Sequence, residues 1–319
     1  MIHDDDNLTT LRDLVRRGAS MFNEAELFFG HGTDNALDEA LLLVLHALHL
    51  DHTLPQSYLD AHLTSDEKKQ VLELFQRRIK ERLPAAYLTG KAWFAGLEFD
   101  VSRDVLVPRS PIAELIEEQF SPWLEASQAH TILDLCTGSG CIAIACAYAF
   151  PQAQVDAVDI SAAALKVARA NVDKHHLHER VAVIDSDLFD QLPPRQYDLI
   201  VSNPPYVSSE EYRALPPEYQ QEPEIGLEAG DDGMDVVARI LHEVAPFLAP
   251  GGIIIVEVGA SADLLMARFP DTPFLWLEFE RGGDGVFLLT AEQLRKIAAS
   301  AGPPRNDKKA SSLRAKRSE

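Results

Sequence analysis

From Thr131 onward the chain alternates short apolar runs with helical stretches: ILDL, a helix reaching Phe150, QVDAVDI, a helix through Asn171, VAVIDSD and then YDLIVSN. Strands separated by helices cannot close as tight hairpins; they pair in parallel, and a parallel sheet needs helices on both faces. A further helix precedes Pro250-Gly251-Gly252, which opens the strand IIIVEVG, and the runs FLWLEF and GVFLLT lie close enough together to pair as a terminal hairpin. The second half of the chain is thereby restricted to an α/β fold on one open sheet.

The first ninety or so residues carry a different period. Leu8, Leu11, Leu14 and Val15, then Leu37, Leu41, Leu42, Val44, Leu45 and Leu48, recur at helical spacing. A further helix opens at Thr64, with Glu67 three residues on as a capping box, and stops before Pro84. From Trp93 to Val107 aromatic and β-branched residues flank Gly96, the pattern of a hairpin, and Pro111 stands where a first helical turn begins. The expected organisation is a helical domain over residues 1–90, a β-hairpin linker over 91–109, an α/β domain over 110–300 and a basic, disordered tail over 301–319.

Composition narrows the classes of function. With 46% apolar and 25% charged residues among 319, the chain is neither disordered nor fibrous. Its longest apolar stretch, Ala40 to Leu50, is interrupted by His46 and His49, so no membrane span is expected. The acidic start, Met1 to Asp6, is unlike a secretory leader, and three cysteines are too few for a disulfide framework; a cytoplasmic location is expected. A net charge of -21 disfavours a broad grip on a nucleic-acid backbone and suits basic partners. The tail from Pro303 carries six basic residues against Asp307 and Glu319, so the rest of the chain is more acidic still.

Two constellations carry chemistry. The first is Asp134-Leu135-Cys136-Thr137-Gly138-Ser139-Gly140, between a strand and a helix, where glycines let the backbone turn sharply and approach a ligand. The third glycine of the dinucleotide fingerprint is replaced by Ala143, and no Gly-Lys-Ser/Thr of a phosphate loop follows. Asp159, ending the next strand, can accept hydrogen bonds from ribose hydroxyls, and Asp187, after the third, can accept one from an adenine amine. Singly, each aspartate reads as a helix cap or turn residue; together at successive strand ends they fit a nucleoside without phosphates.

The second constellation is Asn203-Pro204-Pro205-Tyr206, directly after the strand ending at Ser202. An amide or exocyclic amine is a poor nucleophile because its lone pair is delocalised. The Asn203 side-chain oxygen and the Pro204 carbonyl can each accept one N–H of an incoming NH2 group and aim its lone pair at an electrophilic methyl. Pro205 stiffens the turn, and Tyr206 can pack on the planar face of the acceptor. Positioning of this kind supplies up to roughly 7–11 kcal/mol. No strong base is needed, and Asn203, being neutral, is not one. The alternative for a lone proline pair is simply a strand terminator.

The glycine loop, Asp159, Asp187 and the NPPY strand end, in this order, resemble a class I S-adenosylmethionine-dependent methyltransferase, whose seven-stranded sheet has its last strand antiparallel. The likeness spans about residues 110–290. The helical front, the Gly96-Leu97-Glu98-Phe99 hairpin and the Val107-Pro108-Arg109 lead-in resemble the N(5)-glutamine methyltransferases and extend it over nearly all the chain except the tail. Within that family one branch modifies peptide chain release factors and usually carries an acidic pair after Pro-Arg-Pro; here the sequence is Pro108-Arg109-Ser110-Pro111-Ile112-Ala113-Glu114. The segments Phe29-Gly30-His31-Gly32-Thr33-Asp34-Asn35, Leu215-Pro216-Pro217-Glu218-Tyr219, Glu222-Pro223 and Gly230-Asp231-Asp232-Gly233 are similar to the branch that modifies large-subunit ribosomal protein L-three.

The resemblance implies S-adenosyl-L-methionine as methyl donor, no metal, and a glutamine of ribosomal protein L-three as acceptor, free or within an assembling ribosome. It implies donor contacts from Asp134, Thr137, Gly138, Ser139, Gly140, Asp159, Ile160, Asp187, Leu188 and Asn203. The glutamine amide falls to Asn203, Pro204, Pro205 and Tyr206, and docking of the protein substrate to the helical domain. The alternatives are release-factor glutamine, the exocyclic amine of adenine in RNA or DNA, and an inactive ribosome-assembly scaffold. An adenine substrate needs a basic channel that the acidic body does not offer, so no direct nucleic-acid substrate is expected. Cys136, Cys141 and Cys146 lack zinc spacing and read as small buried residues; His175, His176 and His178 read as a solvated helix end, and Leu41 to Leu45 as core. His31 fits a substrate-side or a loop-stabilising role equally, and Arg109 a place at the site mouth or a surface salt bridge.

Overall fold

The computed structural model describes residues 7–300. The basic tail expected at 301–319 lies outside the described residues. Helices α1 (Leu11–Glu24), α2 (Ala36–Ala47) and α3 (Ser65–Glu81) pack together ahead of a short α4 (Ala85–Thr89). Each long helix starts at a side-chain cap that satisfies otherwise unpaired amides: Thr10 with Asp13, Asn35, and the expected Thr64 with Glu67. Leu14, Phe22, Leu43, Val44, Val71 and Phe75 are fully buried between them. Gly18 lets α1 close on α3, since a Cβ there would stand 2.5 Å from the Phe75 ring.

Strands β1 (Lys91–Phe94) and β2 (Leu97–Asp100) form the hairpin. Its two-residue turn has Ala95 and Gly96 both at positive φ, 48° and 74°, which matches the right-handed twist of the strands. The hairpin is shorter than the sequence pattern to Val107 suggests. Asn171 bonds both the Asp100 N–H, at 2.8 Å, and its carbonyl, at 2.9 Å, so the ladder stops and the chain turns away. Val101, Val105 and Val107 look like strand residues because they are buried, but they pack in an irregular segment against Ala86, Ala92 and Ala164.

After α5 (Ile112–Glu117) come β3 (Thr131–Leu135), α6 (Cys141–Ala149), β4 (Gln154–Asp159), α7 (Ala162–Lys174), β5 (Val181–Asp185), β6 (Tyr197–Ser202) and α8 (Ser209–Ala214). The remainder is α9 (Asp235–Glu243), β7 (Leu248–Glu257), α10 (Ala262–Arg268), β8 (Leu275–Leu277), β9 (Val286–Thr290) and α11 (Ala291–Ser300). The seven-stranded sheet has the order β5-β4-β3-β6-β7-β9-β8. The first five run parallel, and β9, the last in sequence, is antiparallel to both neighbours, with β8 as its hairpin partner. Strand residues alternate between faces: Ile132 joins one buried cluster, Leu133 and Leu135 the other. Helix α6 is apolar all round and buried from Cys141 to Ala147. The chain steps outward from β3 to β5, then returns to β6 on the other side of β3. The loops after β3, β4, β5 and β6 therefore meet at the switch point where open α/β sheets bind ligands.

A buried ionic cluster ties the N-terminal helices to the loop that follows β6. Arg78 of α3, fully buried, donates to Glu39 of α2 at 2.7 Å, to the Phe28 carbonyl at 3.0 Å and to Glu218 at 3.3 Å. Arg82 Nε also stands 2.9 Å from Glu218 without hydrogen-bond alignment, while Nη1 donates to the Ala25 carbonyl and Nη2 to the Glu26 carbonyl and, at 3.4 Å, to Glu218. Arg78→Met leaves two buried carboxylates short of a counter-charge and is expected to destabilise the protein by about 3–5 kcal/mol. Breaking the exposed Arg77–Glu81 pair with Arg77→Ala is expected to change stability by less than about 0.5 kcal/mol. Urea unfolding of the two variants checks this; similar midpoints would contradict it.

Candidate active site

The strand ends enclose a cleft of about 1060 Å³, counting the space at its mouth. Its floor is the loop after β3. Asp134 is fully buried beneath that loop, and its Oδ2 accepts from the Thr137 hydroxyl and, at 3.0 Å, from the Ala143 amide. Burial pushes its carboxyl up to about 7, and Oδ1 has no hydrogen-bond partner among the described residues. Gly138 has φ 56°, and nothing lies within 4 Å of where its Cβ would be, so the loop leaves open space there. Gly140, at φ 82°, instead packs close to α7, where a Cβ would stand 3.4 Å from Ala168.

Asp159 closes the loop from the next strand end. Its Oδ2 accepts from the Gly138 amide and its Oδ1 from the Ser161 amide, both at 2.9 Å; burial nevertheless raises its pKa. Asp187, after β5, accepts from Arg239 of α9 at 2.7 Å. Thr137, Gly138, Ser139, Asp159, Ile160, Asp187, Leu188, Asn203 and Pro205 all line the cleft. Asp134, Gly140, Pro204 and Tyr206 are not among the residues that line it.

Tyr206 is tied to later parts of the chain through both its side chain and its backbone. Its hydroxyl donates to Glu257 at the end of β7, at 3.1 Å, and its carbonyl accepts from Ser261. Glu257 is buried, takes a second hydrogen bond from Ser110, and has its pKa raised by desolvation. A buried carboxylate demands donors, and Tyr206 and Ser110 supply them. The NPPY turn is thereby bolted to the lead-in segment. Gly259 sits against the Tyr206 ring, where a Cβ would come within 2.9 Å.

Two arginines stand on the cleft wall, and both are neutralised. Arg239 pairs with Asp187 and Glu243. Arg109 makes a bidentate pair with buried Glu222, 2.7 Å from each Nη, and Glu222 also accepts from the Val107 amide. Burial alone would push Glu222 up, yet His31 and Arg109 hold it down at about 2. Arg109 is thus both at the mouth and in an ion pair. His31 is buried inside the loop, its ring 4.4 Å from that of Tyr219 and its Nε2 3.4 Å from Glu222 without hydrogen-bond alignment. With both arginines paired and Asp104 and Asp159 also on the wall, the cleft leaves little for a phosphate.

Arg239 and Glu257 were not legible as site residues; Glu218 and Glu222 stand in segments that carry the family resemblance, but their partners lie far away in sequence and no local pattern names them. Cys141 and Cys146 are buried, with the Cys141 thiol pushed up to about 12, and Cys136 is half-buried; Cys136 and Cys141 both line the cleft. His176 and His178 are exposed, but His175 packs on the Phe99 ring and its Nε2 lies 3.0 Å from the Glu98 carbonyl. Leu43, Val44 and Leu45 are core. Among the described residues, no group of three or more His, Cys, Asp or Glu could hold a metal ion, and no helix is long and apolar enough to cross a membrane.

Comparison with known proteins gives a consistent picture. Residues 13–90 match the PrmC N-terminal domain and residues 117–215 the Methyltransferase small domain. The chain is 54% identical to the ribosomal protein uL3 glutamine methyltransferase of Xanthomonas campestris pv. campestris, covering 93% of this chain and 95% of that protein. It is 53% identical to the protein of the same name from Neisseria gonorrhoeae, covering 90% and 96%.

The raised pKa of Asp134 has a sign that can be tested. The folded protein keeps a proton that the unfolded chain releases, so this group lowers stability as pH rises from about 4 to about 7. Asp134→Asn removes that dependence. Its melting temperature relative to wild type is expected to move upward across that window; a gap independent of pH would contradict the assignment.

Proposed function

The chain belongs to the ribosomal protein uL3 glutamine methyltransferases, and from that premise we propose that it moves a methyl group from S-adenosyl-L-methionine to the side-chain amide nitrogen of a glutamine in ribosomal protein uL3. The observation that carries the reading is the meeting of Asn203 and Pro205 with Asp159 and Asp187 on one cleft wall. The residues present fit the donor: carboxylates at successive strand ends suit ribose hydroxyls and an adenine amine, open space beside Gly138 admits a ligand against backbone, and paired arginines leave little for phosphate. When bound, the donor supplies a methyl on a positively charged sulfur, a charge the acidic wall tolerates.

Asn203 and the Pro204 carbonyl hold the two N–H groups of the acceptor amide and direct its nitrogen lone pair at the methyl. With the donor bound, the amide nitrogen would take the methyl as the C–S electron pair returned to sulfur, and the nitrogen would give up one proton to water. Tyr206 acts through Glu257, fixing the turn that presents Asn203 and Pro204. Residues 1–90 serve as the docking domain, 91–109 as linker and 110–300 as the catalytic domain. The acidic chain suits a basic protein acceptor in the cytoplasm, free or in an assembling ribosome.

Two substitutions separate the roles. Asn203→Ala is expected to lower methyl transfer by at least about 100-fold while donor affinity changes less than about threefold. Asp159→Ala is expected to weaken donor binding by about tenfold or more, since two charge-assisted hydrogen bonds order that carboxylate in the loop. Donor titration by calorimetry with transfer kinetics reads both. Loss of donor affinity in Asn203→Ala equal to that in Asp159→Ala would contradict the assignment.

A further inference from the structure

Phe28, in the loop after α1, is 39% exposed, yet both of its backbone polar groups are fastened by buried charge. Its N–H donates to Glu218 at 3.3 Å and its carbonyl accepts from Arg78 at 3.0 Å; both of those side chains are fully buried. Its ring lies 5.4 Å from that of Tyr219, and Gly30 keeps the neighbouring space clear, where a Cβ would stand 3.1 Å from the Phe28 ring. Tyr219 in turn sits 5.3 Å from the Arg109 guanidinium, and Arg109 lines the cleft. Ile225, from the same loop as Tyr219, is 38% exposed and also lines it. Phe28 and Tyr219 thus lead from the N-terminal helices to Arg109 at the cleft, and Ile225 adds an exposed apolar side chain on the cleft wall.

An exposed aromatic on a fixed backbone is a ready anchor, because little conformational freedom remains to be lost on contact. Exposed carboxylates accompany the row: Glu26 two residues before Phe28, and Glu224 beside Ile225. Resting on the function proposed above, we infer that Phe28, Tyr219 and Ile225 form the surface on which the stretch of uL3 flanking the acceptor glutamine lies. An apolar side chain of that stretch seats against Phe28, and basic residues face Glu26 and Glu224. The ionic cluster of Arg78 and Glu218 then has a purpose beyond holding the helices: it fixes the anchor relative to the cleft.

The test is calorimetric binding of uL3, with methyl-transfer kinetics and melting temperatures, for wild type, Phe28→Ala, Phe28→Leu and Tyr148→Ala. Tyr148, on α6, is 48% exposed and serves as the control aromatic. Phe28→Ala is expected to weaken uL3 binding and raise KM by about tenfold or more, with kcat, donor affinity and melting temperature near wild type. Phe28→Leu recovers part of the loss, and Tyr148→Ala loses nothing. Unchanged uL3 binding in Phe28→Ala, or an equal loss in Tyr148→Ala, overturns the inference while leaving the proposed function standing. A wild type that neither binds nor methylates uL3 removes the proposed function and this surface with it.

Discussion

Two buried glutamates, four residues apart in the loop after the NPPY turn, hold this molecule in its working shape. Glu218 receives Arg78, Arg82 and the Phe28 amide, and Glu222 receives Arg109 and the Val107 amide. One loop is thereby fastened to the N-terminal helices at its first glutamate and to the segment leading into the α/β part at its second. The same loop returns beside the NPPY turn, where Val207 donates to Leu227 and Ala229 donates to Val207. Buried ion pairs are weak sources of net stability, because desolvation offsets attraction. What they do well is exclude alternatives: a loop displaced by a few ångströms would leave carboxylates and guanidinium groups unpaired in a dry interior.

The cleft's chemistry follows from how charge is distributed around it. Its arginines are paired and its aspartates stand at strand ends, so the wall has the character of a nucleoside site that tolerates a cationic ligand and discourages phosphates. Asp134 and Glu257, the two carboxyls raised by burial behind that wall, carry structural hydrogen bonds: one shapes the glycine loop, the other the NPPY turn. The catalytic demand on this chain is geometric, since an amide nitrogen needs alignment more than it needs a base. A turn at the end of β6, tied to the end of β7 through Tyr206 and Glu257, is a suitable place for such alignment.

Much of this was legible in the sequence because it is local. Thr64 and Glu67 announce a helix start within four residues; ILDL, QVDAVDI and YDLIVSN announce strands; and the aspartates and NPPY follow those strands directly, so knowing the strands locates the residues. The long-range pairs left no such trace. Arg78 and Glu218 are 140 residues apart, and nothing in the sequence around either one names the other. Val101, Val105 and Val107 misled for the opposite reason: burial produces the same apolar spacing in an irregular segment as in a strand. The partner of Tyr206 was hidden because Glu257 closes a strand far along the chain, where an acidic residue carries no pattern of its own.

The central claim, that the NPPY turn presents a glutamine amide of uL3, is tested most directly by incubating the enzyme with methyl-labelled S-adenosyl-L-methionine and unmethylated ribosomal protein, ribosomal RNA and release factors, then mapping the label by mass spectrometry. The account predicts one methyl on the side-chain nitrogen of a uL3 glutamine. Label confined to RNA or to a release factor, or no transfer to any of them, would contradict it.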